Sequence, residues 1–426
     1  MTDSAQTHSQ QAIKQIFAGY RGPAFAFRLW DGWQWRSSED SRPVCTVAVR
    51  NRRALAALIA RPSEITLGEA FVREDLDVEG DLFAAFHIAE HLFQRPRSLS
   101  HRALETLAGA LYELGQRFRH GAVSSMRRDR ASIAYHYDQP VAFFEPWLGP
   151  SLVYSCAYFR SPQDTLEQAQ EQKLDLICRK LRLQPGERFL DVGCGWGSLL
   201  LRAAKGRHAR ARGITLSRQQ AETTRRRIHE LGLEGECVAD LRDYRELEKL
   251  EGPFDKIASV GMFEHVGLKN LSEYFRIAHR LLRPGGAFLN HHIARAEDSP
   301  IRGNSFVERY VFPDGRLVTL PQALKAAESQ GLEVRDVENL REHYELTLRR
   351  WVARLREHTD ELLGLVPRAT YRIWLLYMAG SAAAFRRGDI GVYQVLLSRR
   401  DPDHEPLPLT REDWYAESRQ AEAVGV

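Results

Sequence analysis

Cysteine is scarce in this chain. Its 426 residues include five, Cys45, Cys156, Cys178, Cys194 and Cys237, odd in number, scattered and without metal-ligand spacing. That excludes a disulfide framework and a zinc site, and it fits a reducing cytosol. Long apolar runs are missing as well. The best stretch, Trp374 to Phe385, is too short and too rich in small residues to cross a bilayer. The polar N-terminus carries no apolar signal-peptide core. Nor is there a strong excess of one charge. A formal net charge of +4 permits contact with anionic lipid heads without requiring it. Nothing calls for nucleic acid or a bound metal. The expectation is a soluble, cytoplasmic globular protein.

Hydrophobic residues make up 43% and charged residues 27% of the sequence, an ordinary balance for a globular chain. The length favours two domains. We expect a smaller α+β domain over 1–118, a linker over 119–131 and a larger domain over 132–426. In the first part, Ala24 to Trp30 alternates like a strand, and Asp31-Gly32 reads as a hairpin turn into Trp33-Gln34-Trp35. Cys45 to Val49 and Ala54 to Ala60 read as strand then helix. The acidic run Glu74 to Asp81 leads into an apolar helix, Leu82 to Phe93. Leu104, Leu107, Leu111 and Leu114 mark one face of a further helix, Ala103 to Phe118. The basic stretch Arg117 to Arg130, with Arg127, Arg128 and Arg130, is the linker. It is either a solvated charge run or a surface attracted to phospholipid heads.

Downstream, strand and helix patterns alternate as a doubly wound sheet requires. Arg188 to Asp191 is an apolar strand that runs into Val192-Gly193-Cys194-Gly195-Trp196-Gly197, and a helical pattern follows from Ser198. Glycines there let backbone approach a ligand closely, and the helix start beyond offers free N–H groups. Such a turn after the first parallel strand is where doubly wound sheets bind nucleotides. The spacing Gly-x-Gly-x-Gly differs from the dinucleotide fingerprint and suits an adenosyl ligand without pyrophosphate, S-adenosylmethionine above all. Further strands are expected at Ala209 to Thr215, around Cys237, at Phe254 to Val260 and at Ala287 to His292. The last follows a turn at Arg283 to Gly286. A helix over Leu271 to Leu282 begins with a capping box of Asn270 and Glu273.

From about residue 132 to 400 the chain resembles the cyclopropane-fatty-acyl-phospholipid synthase family of S-adenosylmethionine-dependent methyltransferases. The segments that carry the resemblance begin with His136-Tyr137-Asp138, Tyr154-Ser155-Cys156-Ala157-Tyr158-Phe159 and the Leu190 to Gly197 turn. Ile214-Thr215-Leu216-Ser217 with Gln220 follows, then Val260-Gly261-Met262-Phe263-Glu264-His265-Val266-Gly267. The last are Arg309 to Pro313, His343-Tyr344 through Leu348, and Ala384-Phe385-Arg386. The glycine turn is shared by many methyltransferases, whereas the Tyr-Ser-Cys-Ala-Tyr and Phe-Glu-His-Val-Gly segments are highly specific. The first 120 residues resemble, less sharply, the N-terminal accessory domain of longer members. The implied fold is α/β, a Rossmann-like methyltransferase domain with a smaller α+β N-terminal domain.

The resemblance implies a cofactor site of Tyr154, Ser155, Asp191, Gly193, Gly195, Gly197, Thr215, Gln220 and Asp243. The second strand ends in Thr215-Leu216-Ser217 with no carboxylate for the ribose; the resemblance implies Thr215 and Gln220 as neutral partners instead. Ser217 and Gln220 also read as a helix capping box, so Gln220 is either a ligand contact as well or a cap alone. Asp243 is placed for the adenine amino group, while Tyr154 and Ser155 meet the methionine end. Cys194 is a small buried filler. The implied reaction is transfer of a methylene unit from S-adenosylmethionine to the cis double bond of an unsaturated phospholipid acyl chain. The base is a bound bicarbonate, held by Cys156 and Ile293 through backbone and by Glu264, His291 and Tyr344 through side chains.

Other readings of these residues stay open. Glu264 could cap the helix after Gly261, and Tyr344 could be a core tyrosine. His291 and His292 are adjacent on a strand and point to opposite faces, which argues against a two-histidine metal site. Phe306, Tyr310 and Phe312 line either a core or an acyl channel. Gln139-Pro140-Val141-Ala142 and Phe306 depart from the family's pattern. A methyl-branched, methylene or other methylated product is the alternative outcome, and a different-substrate methyltransferase or an inactive lipid-binding protein are the remaining classes. The family also implies peripheral association with a phospholipid bilayer, and a homodimer.

Overall fold

The computed structural model describes residues 10–11, 13–60, 63–93, 139–249, 252–299, 305–312, 317–401, 403 and 408–415. Its described residues fall into two compact units. One gathers those within 1–121, 301–313 and 359–383, the other those within 122–300, 314–358 and 384–426. The helix expected at Ala103 to Phe118 and the basic linker lie outside the described residues.

The first unit is built on a four-stranded sheet in the order β2-β1-β3-β4. Its strands are β1 (Phe25–Leu29), β2 (Gln34–Arg36), β3 (Cys45–Val49) and β4 (Leu76–Gly80). The expected hairpin is present, with β1 and β2 antiparallel and Phe27 opposite Trp35. Asp31 Oδ1 accepts the Trp33 N–H at 2.9 Å and Gly32 takes a φ of +86°, a left-handed conformation that suits glycine. The acidic run read as a lead-in to a helix contains a strand instead, since β4 pairs antiparallel with β3 over its full length. Alternating Phe25, Phe27, Val47 and Val49 bury one sheet face with Phe17, Ile88 and Leu92. Phe306 is a core residue here: a Cβ on Gly68 would come within 2.4 Å of its ring. Tyr310 donates to Glu69 Oε1 at 2.8 Å and Phe312 packs edge-on to Tyr377, so all three aromatics have partners inside this unit.

The second unit holds a seven-stranded sheet, ordered β10-β11-β9-β8-β5-β6-β7. Five strands run parallel, β5 (Arg188–Val192), β6 (Arg210–Thr215), β7 (Cys237–Leu241), β8 (Phe254–Val260) and β9 (Leu282–Arg295). Then β10 (Leu332–Asn339) and β11 (Ile390–Arg399) close one edge, β11 antiparallel to both its neighbours. Apolar residues cover both faces. On one, Leu174, Ile177, Leu200 and Ala203 pack on Phe189 and Ala211; on the other, Leu271, Phe275 and Ala278 pack on Leu190 and Ile257. This is the doubly wound α/β fold. The chain runs from β5 outward to β6 and β7 and then crosses back to β8 on the other side of β5, which opens a crevice at the carboxyl ends of those strands.

Two local expectations are corrected. No turn interrupts the chain before β9, which starts at Leu282 and runs through Pro284-Gly285-Gly286 to Arg295. A register shift opposite Phe254 and Lys256 and a φ of +70° at Gly285 absorb the glycines as a bulge. Asn270 forms no capping box. Its Nδ2 donates back to the Val266 carbonyl at 2.9 Å, because a 3-10 turn at Leu268–Asn270 runs directly into the helix Leu271–Leu281.

Candidate active site

The glycine turn closes β5 by its backbone. Gly193 and Cys194 both donate to the Ile214 carbonyl at 2.9 Å, and Gly197 donates to Cys194 at 2.9 Å. Gly193, Gly195 and Gly197 all have left-handed φ values, +82°, +55° and +88°, yet each is glycine for a different reason. A Cβ at Gly193 would meet Met262 at 2.8 Å, and one at Gly197 would meet Thr224 at 2.5 Å, whereas one at Gly195 would point into open space. Gly193 and Gly195 line a cleft of about 1130 Å³, the solvent at its mouth included. Gly197 does not line it. Its place in the expected cofactor set is therefore corrected to one of packing, holding Thr224 and opening the helix Ser198–Arg207.

Tyr154, Ser155, Asp191, Thr215, Gln220 and Asp243 also line this cleft. The end of β6 is neutral, as the sequence implies. Thr215 Oγ1 donates to Gln220 Oε1 at 2.7 Å, and Ser217 Oγ accepts the Gln220 N–H at 3.3 Å. Only half a capping box forms, because the Gln220 side chain turns to Thr215 instead of back to the cap. Asp243 is buried and gripped by Arg245, whose Nε and Nη2 reach its two oxygens at 2.9 and 2.7 Å. Tyr154 packs against Trp351 and Trp147, ring centroids 5.3 and 5.6 Å away.

Lys173 is a cleft residue that the motifs do not contain. It sits on the buried face of the helix Leu166–Lys180, level with Leu166, Ala169, Gln170, Leu174 and Ile177. Lysine and glutamine inside an otherwise apolar helical stripe were the available signal. Its Nζ donates to Ser155 Oγ at 2.8 Å. Burial lowers its pKa to about 8, and burial pushes the Asp191 carboxyl up to about 7 against the pull of Lys173.

Beside the cleft, the end of β9 carries the second group of residues. Glu264 lies in the 3-10 turn Phe263–His265 after β8. Its Oε1 accepts the Ile293 N–H at 2.7 Å, one rung beyond the last backbone bond, Gly261 N–H to the His291 carbonyl. The carboxylate thus extends the ladder and does not cap a helix. Burial raises its pKa to about 7, and Oε2 is buried without a partner among the described residues. The Ile293 N–H is engaged by Glu264, so what the structure shows of the backbone role expected for Ile293 is the positioning of that carboxylate.

His291 and His292 do face opposite ways. His292 pairs with Asn290 and packs on Phe263. His291 faces Gln394 of β11, whose Nε2 lies 3.2 Å from His291 Nδ1. Burial and the neighbouring cations Lys173 and Lys180 hold it well below the ordinary histidine range, so the ring is neutral. Its Nε2 is buried without a partner among the described residues. Cys156 and Tyr344 reach the same end of the sheet through one turn. Val392, opposite Ile293 in the β9–β11 pairing, accepts the Leu340 N–H at 2.8 Å; the Leu340 carbonyl accepts the Tyr344 N–H at 3.1 Å and the Cys156 thiol at 3.8 Å. Burial drives that thiol far above its ordinary pKa, which leaves no reactive thiolate. The Tyr344 ring stacks at a tilt on Phe385, centroids 4.7 Å apart.

A glycine turn at the carboxyl end of β5, a cleft at the strand-order switch and a neutral end to β6 define a class, the Rossmann-like methyltransferases. Comparison with known proteins carries this further. A family profile described as mycolic acid cyclopropane synthetase matches residues 124–395. A Pseudomonas putida protein named "Probable fatty acid methyltransferase" is 41% identical over 402 residues, spanning 91% of this chain and 95% of its own. The cyclopropane-fatty-acyl-phospholipid synthase of Escherichia coli K12 is 37% identical over 264 residues, 62% of this chain and 66% of that one. Among solved structures, the mycolic acid cyclopropane synthase CmaA1 complexed with SAH and CTAB matches with a TM-score of 0.58 and 34% identity. That match covers 63% of this chain and 98% of the other. The chain belongs to the cyclopropane synthase family of S-adenosylmethionine-dependent methyltransferases.

Proposed function

We propose that the protein transfers a methylene unit from S-adenosylmethionine to the cis double bond of an unsaturated phospholipid acyl chain, closing a cyclopropane ring with the help of bound bicarbonate. The pair of orphaned atoms, Glu264 Oε2 and His291 Nε2, supports this reading best. One is a buried acceptor and the other a buried donor, both beside a cleft suited to a methyl donor. A buried polar atom without a partner is costly. A small oxyanion that also bears a hydroxyl satisfies both kinds at once, and hydrogen carbonate has that donor set. Glu264, His291 and Tyr344 would hold it by side chains and Cys156 by backbone, with Ile293 fixing Glu264. When bound there, it supplies a weak base for the proton lost before the ring closes.

The remaining demands fall on the chain itself. Attack of an isolated alkene on a sulfonium methyl leaves positive charge on the acyl chain, and water would quench it. Tyr154 lines the cleft and is backed by the buried rings Phe144, Trp147 and Trp351, neighbouring centroids 5.3–6.3 Å apart, an apolar wall that would exclude water, with the Tyr154 ring as an aromatic face for a cation. Neutral His291 donates without competing for the proton to be removed. Glu264, held by the sheet, accepts.

The acyl substrate resides in a bilayer, and no helix among the described residues is long and apolar enough to cross one. The reading is therefore one of reversible, peripheral contact from the cytoplasmic side, by a homodimer. Liposome co-sedimentation that weakens as salt rises supports the electrostatic part, and binding indifferent to salt and to anionic lipid overturns it.

A second reading is a methyl-branched or otherwise methylated fatty acyl product. Its support is the Pseudomonas putida relative, which matches nearly the whole chain and whose name specifies fatty acid methylation only. Lipid analysis of cells expressing the protein separates the two. Lipids gaining one CH₂ unit with upfield ring protons by NMR support cyclopropanation, a methyl doublet supports the second reading, and unaltered lipids overturn both.

A further inference from the structure

We infer that Lys173 is a specificity-determining residue for the methyl donor, its ammonium reading the α-carboxylate of the methionine end together with Ser155. The inference rests on the cleft being the S-adenosylmethionine site. Lys173 is among the largest fully buried side chains of the protein, and it lines the cleft. Among the described residues its ammonium makes one hydrogen bond, to the neutral Ser155 hydroxyl at 2.8 Å, and no ion pair. A buried cation without a counterion is costly, and a helix stripe of this kind would ordinarily carry leucine.

The groups that share its surroundings are Asp191 from β5, Cys156 from the Tyr154 segment and His291 from β9. The thiol and the imidazole are neutral there, and Asp191 feels Lys173 without touching it. Two opposite charges therefore stand apart on the cleft wall, Lys173 beside Ser155 and Asp191 beside Gly193. An ammonium and a carboxyl on one wall suit a zwitterion. The methionine end of S-adenosylmethionine presents an α-carboxylate and an α-ammonium on one carbon, and the carboxylate is the donor's sole anion. Placed at Lys173 and Ser155, it supplies the missing counterion, while its ammonium faces Asp191.

The burial-lowered pKa of Lys173 is the behaviour of an ammonium that awaits an anion. Ser155, whose hydroxyl Lys173 already holds, then has its geometry set by the same charge. The donor's affinity would come in part from this pair and not only from the glycine turn.

A ligand–residue cycle tests it. Calorimetry compares S-adenosylmethionine with decarboxylated S-adenosylmethionine, which keeps the sulfonium, the amine and the adenosine and lacks only the carboxylate. Wild type should bind the first more tightly, and Lys173→Met should lose roughly 10- to 100-fold for it while its affinity for the decarboxylated ligand stays within about threefold. Lys173→Gln, a neutral residue still able to hydrogen-bond Ser155, should show the same selective loss, and it keeps the test alive if the Met variant does not fold. Equal losses for both ligands in a folded variant would make Lys173 structural and overturn the inference. So would a wild type indifferent to the carboxylate. A wild type that binds neither ligand would overturn the assignment of the cleft itself, and the inference with it.

Discussion

Gln394 Nε2 donates to His291 Nδ1 across 3.2 Å, between residues directly opposite in the β9–β11 pairing. An amide nitrogen can only donate, so Nδ1 must be the unprotonated nitrogen and the ring proton sits on Nε2. That is the atom left without a partner at the end of the sheet. A strand–strand register thus fixes a tautomer, and the tautomer decides that His291 offers a donor to whatever lies beside Glu264.

Removing the amide should expose this dependence. In Gln394→Leu the imidazole loses its anchor, and either nitrogen can carry the proton. Turnover should fall about tenfold, the equivalent of one buried hydrogen bond, with S-adenosylmethionine affinity unchanged because Gln394 does not line the cleft. A variant that keeps full turnover would show that the tautomer is immaterial.

Glu264 carries the sharper test of the oxyanion. Glu264→Gln retains an oxygen for the Ile293 N–H but replaces the acceptor at Oε2 with an amide. Turnover should drop by roughly 100-fold or more while S-adenosylmethionine affinity stays close to wild type. Wild-type turnover should also fall in rigorously carbonate-free buffer and return when bicarbonate is added. An unchanged wild-type rate without carbonate would sink the oxyanion reading and leave Glu264 itself as the base.

The last two glycines of the turn should separate binding from packing. Gly195 faces open cleft, so Gly195→Val should abolish S-adenosylmethionine binding by calorimetry. Gly197 faces Thr224 Cγ2, so Gly197→Ala should lower the melting temperature through both the clash and the positive φ. Thr224→Ser, which removes that methyl, should recover part of the loss. Undiminished donor binding by folded Gly195→Val would remove the ligand from that residue.

Strands β5, β6 and β8 were legible because each is a short apolar run bounded by turn residues, and the glycine turn gave away the cleft at their ends. Eight of the expected site residues, Tyr154, Ser155, Asp191, Gly193, Gly195, Thr215, Gln220 and Asp243, line that cleft. Gly197 was misread because spacing cannot tell a glycine that meets a ligand from one that meets Thr224. Lys173 and Gln394 were missed because periodicity marks their positions as core, and polarity at a core position is seen only once burial is known. The segments within 301–313 and 359–383 joined the first unit through contacts distant in sequence, which no local pattern records.

The ionisation of Glu264 should be visible in stability as well as in rate. Burial raises its carboxyl from 4.5 to about 7. Between those values the unfolded chain has lost the proton and the folded chain keeps it. The folded state binds more protons there, so this residue's contribution to stability falls as pH rises through the window and is level above it. Asp191 acts in the same sense, rising from 3.8 to about 7. His265 and His292, lowered from 6.5 to about 4, act in the opposite sense, adding stability as pH rises from about 4 to 6.5. Glu264→Gln cancels only the first of these. Denaturant unfolding in carbonate-free buffer should therefore find variant and wild type nearly equal near pH 4.5, with the variant gaining up to about 3 kcal/mol relative to wild type by pH 7. A difference that does not change with pH would mean that the Glu264 carboxyl titrates in the folded protein as it does in the unfolded chain.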